Sequence, residues 1–391
     1  MKYRDILLLV NVTATNDVYP TIIQYAKEHG WRLTIEDRMA PPSGWHGDGA
    51  IMQAMDYPIT MRYAKYLTRK GIPIVNLMNG KMERSIPSCI FDIPAISRLA
   101  AAHFREHGFR HVAFFSMECL HVRAMQYKSF ASAWGKSTAM KWIWQDAAKR
   151  RNVNNRAAFM KWIKDMLADA PKPIAILCAN SYNAVSLLNV CLDMGLSVPD
   201  DAAILSSQYD PAFCDCQTVP ISGIEIDSRL QAKEAAALLD RLIVGKRIGS
   251  KYILIPPTRI IVQQSTDVLA TENPILRQAL QFIRENLSHP FGAAEIAEHL
   301  AVPRVKLDRL FASELKRSAG AEIMRQRIAK AKKMLDESNA TLAAIAMDTG
   351  FCHASYLISA FKKAVGTTPR RYRAARKPQR TPQIEPYLPC L

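Results

Sequence analysis

Residues 342–373, LAAIAMDTGFCHASYLISAFKKAVGTTPRRYR, decide how the rest of the chain is interpreted. Apolar residues recur at helical spacing on both sides of Gly350, which predicts two short amphipathic helices joined by a tight turn. The first helix should stop at Gly350, because glycine adopts the left-handed conformation that ends a helix without steric cost. A basic run, Arg370, Arg371 and Arg373, follows the second helix. Two such helices with basic flanks are typical of proteins that read the major groove of DNA.

The order of identities in this stretch is G-F-x3-S-Y-x4-F-K-K-x2-G-x-T-P-x2-Y-R, from Gly350 to Arg373. It resembles the second helix-turn-helix of the AraC/XylS family of bacterial transcription regulators. The identities are interleaved over the whole stretch, so the resemblance is specific. It implies a DNA-binding regulator whose partners are double-stranded operator DNA and, for an activator, RNA polymerase.

The distribution of charge agrees with a polyanionic partner. The chain has 391 residues, enough for two or three domains, and a formal net charge of +17. From Thr271 onward there are 20 Lys and Arg against 11 Asp and Glu, whereas the first 270 residues hold 32 against 24. The final third is therefore about twice as charge-dense, which predicts that the nucleic-acid surface lies there.

Other classes of protein find little support in the sequence. No apolar run reaches the length of a membrane span, and the N-terminal run is too short for a secretory signal, so we expect a cytoplasmic protein. The eight cysteines have no zinc-ligand spacing and are expected to be free thiols. His103, His107 and His111 are interrupted by Gly108 and predict no metal site. No nucleotide-binding loop or hydrolase motif occurs, so we expect neither an enzyme nor a cofactor.

The first 265 residues alternate between buried-strand and helical patterns. This alternation predicts β-α-β units on parallel sheets. The predicted strands are 6–10, 33–35, 49–52, 72–77, 111–115, 141–144, 174–178 and 202–206, and the predicted helices are 19–30, 60–70, 96–107, 157–167, 183–194 and 224–244.

Two successive α/β halves of this length resemble the type I periplasmic-binding-protein fold of LacI-type regulators. Residues 194–205 (MGLSVPDDAAIL) and 253–266 (ILIPPTRIIVQQST) carry the likeness. The whole chain resembles the xylose-operon regulators, in which a LacI-like sugar-sensing domain precedes an AraC-type domain. We therefore expect a two-lobed α/β sensor domain that also dimerises, residues 1–268, and an all-α domain with two helix-turn-helix units, residues 274–376. Residues 377–391 are expected to be a disordered tail.

The resemblance also places a first helix-turn-helix in the C-terminal domain. Its bracing helix is expected at 293–300 and its recognition helix at 304–315, after a turn at Ala301, where family members commonly have glycine. A helix predicted at 321–336 joins the two units. Its 16 residues span about 24 Å, so the recognition helices could lie about one DNA turn apart, near 34 Å.

Through the resemblance, particular side chains are expected to meet DNA. In the first recognition helix Arg309 should contact a guanine, and Asp308 should accept from a cytosine amine or orient Arg309; the alternative is a surface ion pair. In the second, Ser359 stands where the family often has arginine, which predicts weak specificity, and His353 is expected to cap the helix. The predicted DNA-binding residues are Arg304, Val305, Lys306, Asp308, Arg309, His353, Ala354, Ser355, Tyr356, Ser359, Lys362, Lys363, Arg370 and Arg371. The lysines and arginines of the second helix-turn-helix unit, together with Arg373, are expected to contact phosphates.

A sugar effector would bind between the lobes, at the carboxyl ends of the strands. The candidates are Asn11, Asp17, Asp92, Arg123 and Gln126, which we assign to the first lobe, and Asn180 and Gln208, which we assign to the second. LacI-like sugar sensors usually have an aspartate where Gln208 stands and an arginine where Gln126 stands. Two lost charge-assisted hydrogen bonds would weaken xylose binding by about a hundredfold or more, unless Arg123 and Asp92 compensate.

Three hypotheses follow from the sequence. The first is a sugar-responsive transcription regulator, expected to activate genes of xylose or related carbohydrate metabolism as a homodimer. The second is a regulator whose N-terminal domain only dimerises and binds no small molecule. The third is a sugar-binding protein with an incidental basic tail.

Overall fold

The computed structural model describes residues 3–10, 17–36, 44–53, 58–80, 86–118, 120–135, 138–144, 156–268, 270–271 and 273–376. The chain divides into two units, Met1–Ala270 and Thr271–Leu391. Asn11 and the tail at 377–391 lie outside the described residues.

The first unit contains two six-stranded sheets, whose central strands are short apolar runs. The first sheet consists of β1 (Arg4–Leu9), β2 (Trp31–Glu36), β3 (Gly49–Met52), β4 (Ile74–Asn76), β5 (Ser88–Phe91) and β11 (Tyr252–Ile255), in the spatial order β11-β5-β4-β3-β1-β2. The second consists of β6 (His111–Ser116), β7 (Ala139–Ile143), β8 (Ile174–Cys178), β9 (Ala202–Ser206), β10 (Ser222–Ile226) and β12 (Pro257–Ile261), in the order β12-β10-β9-β8-β6-β7. We call the halves built on these sheets the first and the second lobe.

Helices cover both faces of each sheet, which is why the central strands are buried throughout. They are α1 (Val18–His29), α2 (Pro58–Arg69), α3 (Ile93–Glu106), α4 (His121–Trp134), α5 (Arg156–Asp169), α6 (Ser181–Asp193), α7 (Pro211–Cys214) and α8 (Ser228–Ile243). Helices α1 and α8 pack on one face of the first sheet and α2 on the other. In the second lobe α3 and α4 cover one face, and α5 and α6 cover the other.

The chain crosses between the lobes after β5, after β10 and after β11. Two of these crossings have the same form, because Asp92 and Asp227 cap the helices that follow and accept from the backbone N–H groups of Ala95 and Leu230. The predicted two-lobed α/β fold is confirmed. The predicted helix 224–244 is wrong at its start: residues 222–226 form the buried strand β10, and α8 begins only after the Asp227 cap.

The second unit is entirely helical among its described residues. Its helices are α9 (Pro274–Glu285), α10 (Ala293–His299), α11 (Arg304–Leu315), α12 (Ala319–Glu337), α13 (Leu342–Asp348), α14 (Ala354–Val365) and α15 (Pro369–Arg376). Helix α12 connects the two helix-turn-helix units and has 19 residues, longer than predicted, which gives it a length of about 28 Å. The basic run after Gly366, which we expected only to close the second unit, is the helix α15.

Candidate nucleic-acid interface and effector site

The first recognition helix, α11, has one apolar face and one polar face. Leu307, Phe311 and Leu315 are buried against the rest of the unit. Four side chains in the first two turns of the helix are exposed: Arg304, Val305, Lys306 and Arg309. Val305 is 62% exposed, and an exposed aliphatic group beside cationic groups suits contact with a thymine methyl as well as with phosphates. The helix therefore presents a face with the chemistry of a major-groove reader.

Asp308 is half-exposed and forms an i,i+4 ion pair with Arg304, at 3.7 Å between its Oδ2 and Nε of the arginine. The carboxylate therefore does not orient Arg309, which was one of the two roles predicted for it. A pair this exposed contributes at most about 1 kcal/mol to stability, so DNA could displace it at little cost.

The second recognition helix, α14, buries Leu357 and Phe361. Its open face carries hydroxyls and lysines, and Ala354 is half-buried at its first turn. The exposed polar residues are Ser355, Tyr356, Ser359, Lys362 and Lys363. The Tyr356 ring meets Phe351 edge-on, with ring centroids 5.5 Å apart, and remains 50% exposed. Tyr356 is thus both a packing residue and a surface group.

The structure specifies the roles of two residues in this region, His353 before α14 and Arg373 in α15. His353 occupies the N-cap position of α14, as expected, but its side chain accepts no hydrogen bond from the first turn of the helix. Arg373 donates from Nη2 to the Ala340 backbone oxygen at 2.7 Å and is half-buried. It therefore holds α15 against the segment between α12 and α13, whereas Arg370 and Arg371 are exposed and available to phosphates.

The turns of the two helix-turn-helix units differ in backbone strain. Ala301, in the first unit, has φ +50°, and Gly350, in the second, has φ +70°. The left-handed region costs an L-residue roughly 1–2 kcal/mol and costs glycine nothing, which explains the glycine common at the position of Ala301 in the resembling family.

In the sensor unit, the predicted ligand residues divide between the lobes differently from our assignment. Arg123 and Gln126 lie on α4, in the second lobe, together with Asn180 and Gln208; placing them in the first lobe was wrong. The reason is that the chain leaves the first sheet after β5, well before α4 begins. Asp17 lies at the start of α1 in the first lobe, where its carboxylate pairs with Arg229 at 3.2 Å.

Arg123 is the centre of a polar network at the carboxyl ends of β6 and β8. The residue is only 9% exposed. Its Nη2 donates to Glu118 Oε2 and its Nη1 to Gln126 Oε1, both at 3.1 Å, while its Nε has no partner among the described residues. Both Arg123 and Gln126 also reach the Ala179 backbone oxygen, at 3.4 Å.

Glu118 was not among the predicted residues. Its side chain is 46% exposed and follows β6 by two residues, so it presents a carboxylate at the rim of the second lobe. The available signal was a carboxylate just after a buried strand.

Asn180 and Gln208 lie at the ends of the neighbouring strands β8 and β9. Asn180 caps α6: its Oδ1 accepts from Asn183 N at 2.9 Å and from Asn183 Nδ2 at 2.6 Å. Gln208 is held through its backbone oxygen, which accepts from Ser181 Oγ at 2.5 Å and Ser206 Oγ at 2.6 Å. The Gln208 side chain is half-exposed at the same edge of the sheet as Arg123 and Asn180.

Comparison with known proteins matches two domain families. Residues 101–266 match a periplasmic binding protein-like domain, and residues 296–375 match a helix-turn-helix domain. The chain is 23% identical over 393 residues to the xylose operon regulatory protein of Haemophilus influenzae, covering 95% of this chain and 98% of that protein. It is 25% identical over 391 residues to the protein of the same name from Escherichia coli K12, covering 95% and 97%. A solved structure described as the xylose-binding transcription activator xylR superposes with a TM-score of 0.74 at 22% identity, covering 97% of this chain and all of that one.

A two-lobed binding-protein-like unit followed by two helix-turn-helix units defines the class: the protein is a DNA-binding transcription regulator. Within that class, it combines a periplasmic binding protein-like domain with a helix-turn-helix domain and is similar over nearly its whole length to xylose operon regulatory proteins. No helix in the described part of the chain is long and apolar enough to cross a membrane.

Proposed function

We propose that the chain is a cytoplasmic, dimeric activator of carbohydrate-metabolism genes, which binds operator DNA and responds to a sugar held between its lobes. The observation that carries this proposal is the presence in one chain of two features: exposed polar and basic faces on α11 and α14, and a polar cluster at the carboxyl ends of the second lobe's strands. The relatives named above support this assignment, because they are named as regulators of a sugar operon and the similarity extends over nearly their full length.

The composition of the polar cluster favours a neutral polyhydroxylated ligand. The half-exposed or exposed groups at this edge are mainly carboxylates and amides: Glu118, Asn180 and Gln208 in the second lobe, and Asp17 and Asp92 at the first-lobe side. Carboxylates and amides accept and donate pairs of hydrogen bonds that match vicinal hydroxyls. Arg123 is bound to Glu118 and is mostly covered, so it orients that carboxylate more than it offers a site for an anion.

Xylose itself should bind weakly, or a related sugar should be preferred. Gln126 and Gln208 supply neutral hydrogen bonds where charged groups are typical of LacI-like sensors, and charge-assisted bonds are roughly twice as strong. Arg123 lies next to Gln126 and restores the positive charge, but its guanidinium is turned toward Glu118 and the Ala179 oxygen. The Asp92 carboxylate is engaged in capping α3.

One observation favours the second candidate, a domain that only dimerises. Arg123 and Gln126 bond to each other and to the Ala179 oxygen, so part of the cluster is satisfied without a ligand. A domain of this kind would fold and dimerise normally but would respond to no sugar.

A thermal-shift screen of pentoses and hexoses on the full-length protein separates the two. A ligand at a hundred times its dissociation constant stabilises the folded state by about 2.7 kcal/mol, a shift of several degrees. Glu118→Gln should abolish the response to the best sugar, whereas Glu28→Gln, an exposed carboxylate near the end of α1, should leave it unchanged. If no sugar shifts the wild-type protein, the dimerisation-only function is correct.

A further inference from the structure

Arg327 lies near the middle of α12, the helix that joins the two helix-turn-helix units, and is 7% exposed. Its Nη2 donates to the backbone oxygen of His289 at 2.8 Å, in the loop between α9 and α10. The guanidinium also lies 5.3 Å from the centroid of the Phe291 ring, which packs edge-on against Phe282 of α9. Arg327 therefore ties α12 to the first helix-turn-helix unit.

The turn of the second helix-turn-helix unit, at Gly350, reaches the same α9–α10 loop. A Cβ atom at Gly350 would overlap the Leu287 carbonyl oxygen and would lie 2.9 Å from both the His289 oxygen and Arg327 Nη2. Only glycine permits so close an approach at φ +70°. The α13–α14 turn, the α9–α10 loop and the Arg327 guanidinium thus meet at one point.

Burying this guanidinium is unfavourable in itself. Among the described residues it forms no ion pair with a carboxylate, and its Nε has no hydrogen-bond partner. Desolvation accordingly lowers the pKa of Arg327. A hydrophobic residue would fill the space at lower cost, but it would leave the His289 oxygen without this donor.

We propose that Arg327 is a positioning residue, which locks the second helix-turn-helix unit against the first and thereby fixes the separation at which α11 and α14 read DNA. One base pair changes that separation by about 3.4 Å and rotates the second site by about 34°. A locked pair of units should tolerate only one spacing, whereas a loosened pair should tolerate several. The proposal rests on both units binding DNA.

The first test is a spacing series on a duplex that the full-length protein selects from random-sequence DNA. The wild type should lose about tenfold or more in affinity when one base pair is inserted between the two protected segments. Arg327→Met should bind the parent duplex more weakly and should lose less than about threefold on the insertion. Lys333→Met removes the same charge from an exposed position of α12 and should keep the wild-type ratio. Gly350→Ala should reproduce the loss of discrimination.

Unchanged spacing discrimination in Arg327→Met, with a wild-type melting curve, would overturn the proposal. If that variant does not fold, Arg327→Lys, which keeps the charge and the aliphatic stem, is judged by the same ratio.

A second test needs no DNA and so separates this proposal from the assigned function. Spin labels are placed at Cys352, which is exposed at the α13–α14 turn, and at Ser313→Cys on α11, with the cysteines at 119, 216 and 390 replaced by serine. The wild type should give one narrow distance distribution, and Arg327→Met or Arg327→Lys a broad one. A distribution as narrow in both variants as in the wild type would contradict the lock.

Discussion

Arg309 offers the sharpest test of how α11 meets DNA. The side chain is exposed and, among the described residues, forms no ion pair, because Asp308 pairs with Arg304. Removing it should therefore change the stability of the protein by no more than about 0.5 kcal/mol. A bidentate contact to guanine supplies about 1–3 kcal/mol of discrimination, so Arg309→Ala should weaken operator binding about 5- to 150-fold.

Lys363→Ala, on the exposed side of α14, is the matched control. A phosphate contact carries no sequence information, so this variant should lose affinity equally on operator and scrambled duplexes and should lower the salt slope by about 1. Fluorescence anisotropy on both duplexes at several salt concentrations measures the four affinities. Equal losses on the two duplexes for Arg309→Ala would refute its role in reading a base.

Two further predictions concern stability. Ala301→Gly should raise the free energy of unfolding by up to about 1 kcal/mol in a denaturant titration. Glycine removes the steric strain that alanine has at φ +50°, and this gain outweighs the larger conformational entropy that glycine gives the unfolded chain. His103 is buried, with Nε2 2.9 Å from Thr266 Oγ1, and desolvation lowers its pKa from 6.5 to about 3. The unfolded state therefore binds a proton that the folded state refuses, so stability should fall below pH 6.5, by about 2 kcal/mol at pH 5. His103→Gln should flatten that slope; an unchanged slope would contradict this assignment.

Where the sequence carried an unbroken local signal, the prediction and the structure coincide. Strands β3, β8 and β9 have the predicted bounds because each is a short apolar run between breaking residues, and α11 begins directly after Pro303 as expected. Strand β10 was mistaken for helix, because Ile224 and Ile226 continue the apolar pattern of the helix that follows. Only the pairing of β10 with β9, through Ser222 and Gly223, and with β12 distinguishes the strand from a helix.

The residues of the effector site and the role of Arg327 were harder to predict, because they depend on contacts between segments far apart in the sequence. The lobe that holds Arg123 and Gln126 is decided by a crossing after β5, and nothing in the local pattern marks which sheet the next strand joins. Glu118 becomes a candidate only when its bond to Arg123 is seen. Arg327, in the same way, belongs by its sequence to a basic amphipathic helix, and its role comes from a loop 38 residues earlier in the chain.

A sugar in the cleft and DNA on the helix-turn-helix units should be energetically coupled. The most direct measurement is operator affinity with and without the best sugar from the screen, paired with calorimetry of that sugar with and without operator. Coupling of about 1–3 kcal/mol predicts a 5- to 150-fold change in operator affinity, and the sugar's affinity must change by the same factor. Sugar binding that leaves operator affinity unchanged, or no binding of any sugar, would contradict the account.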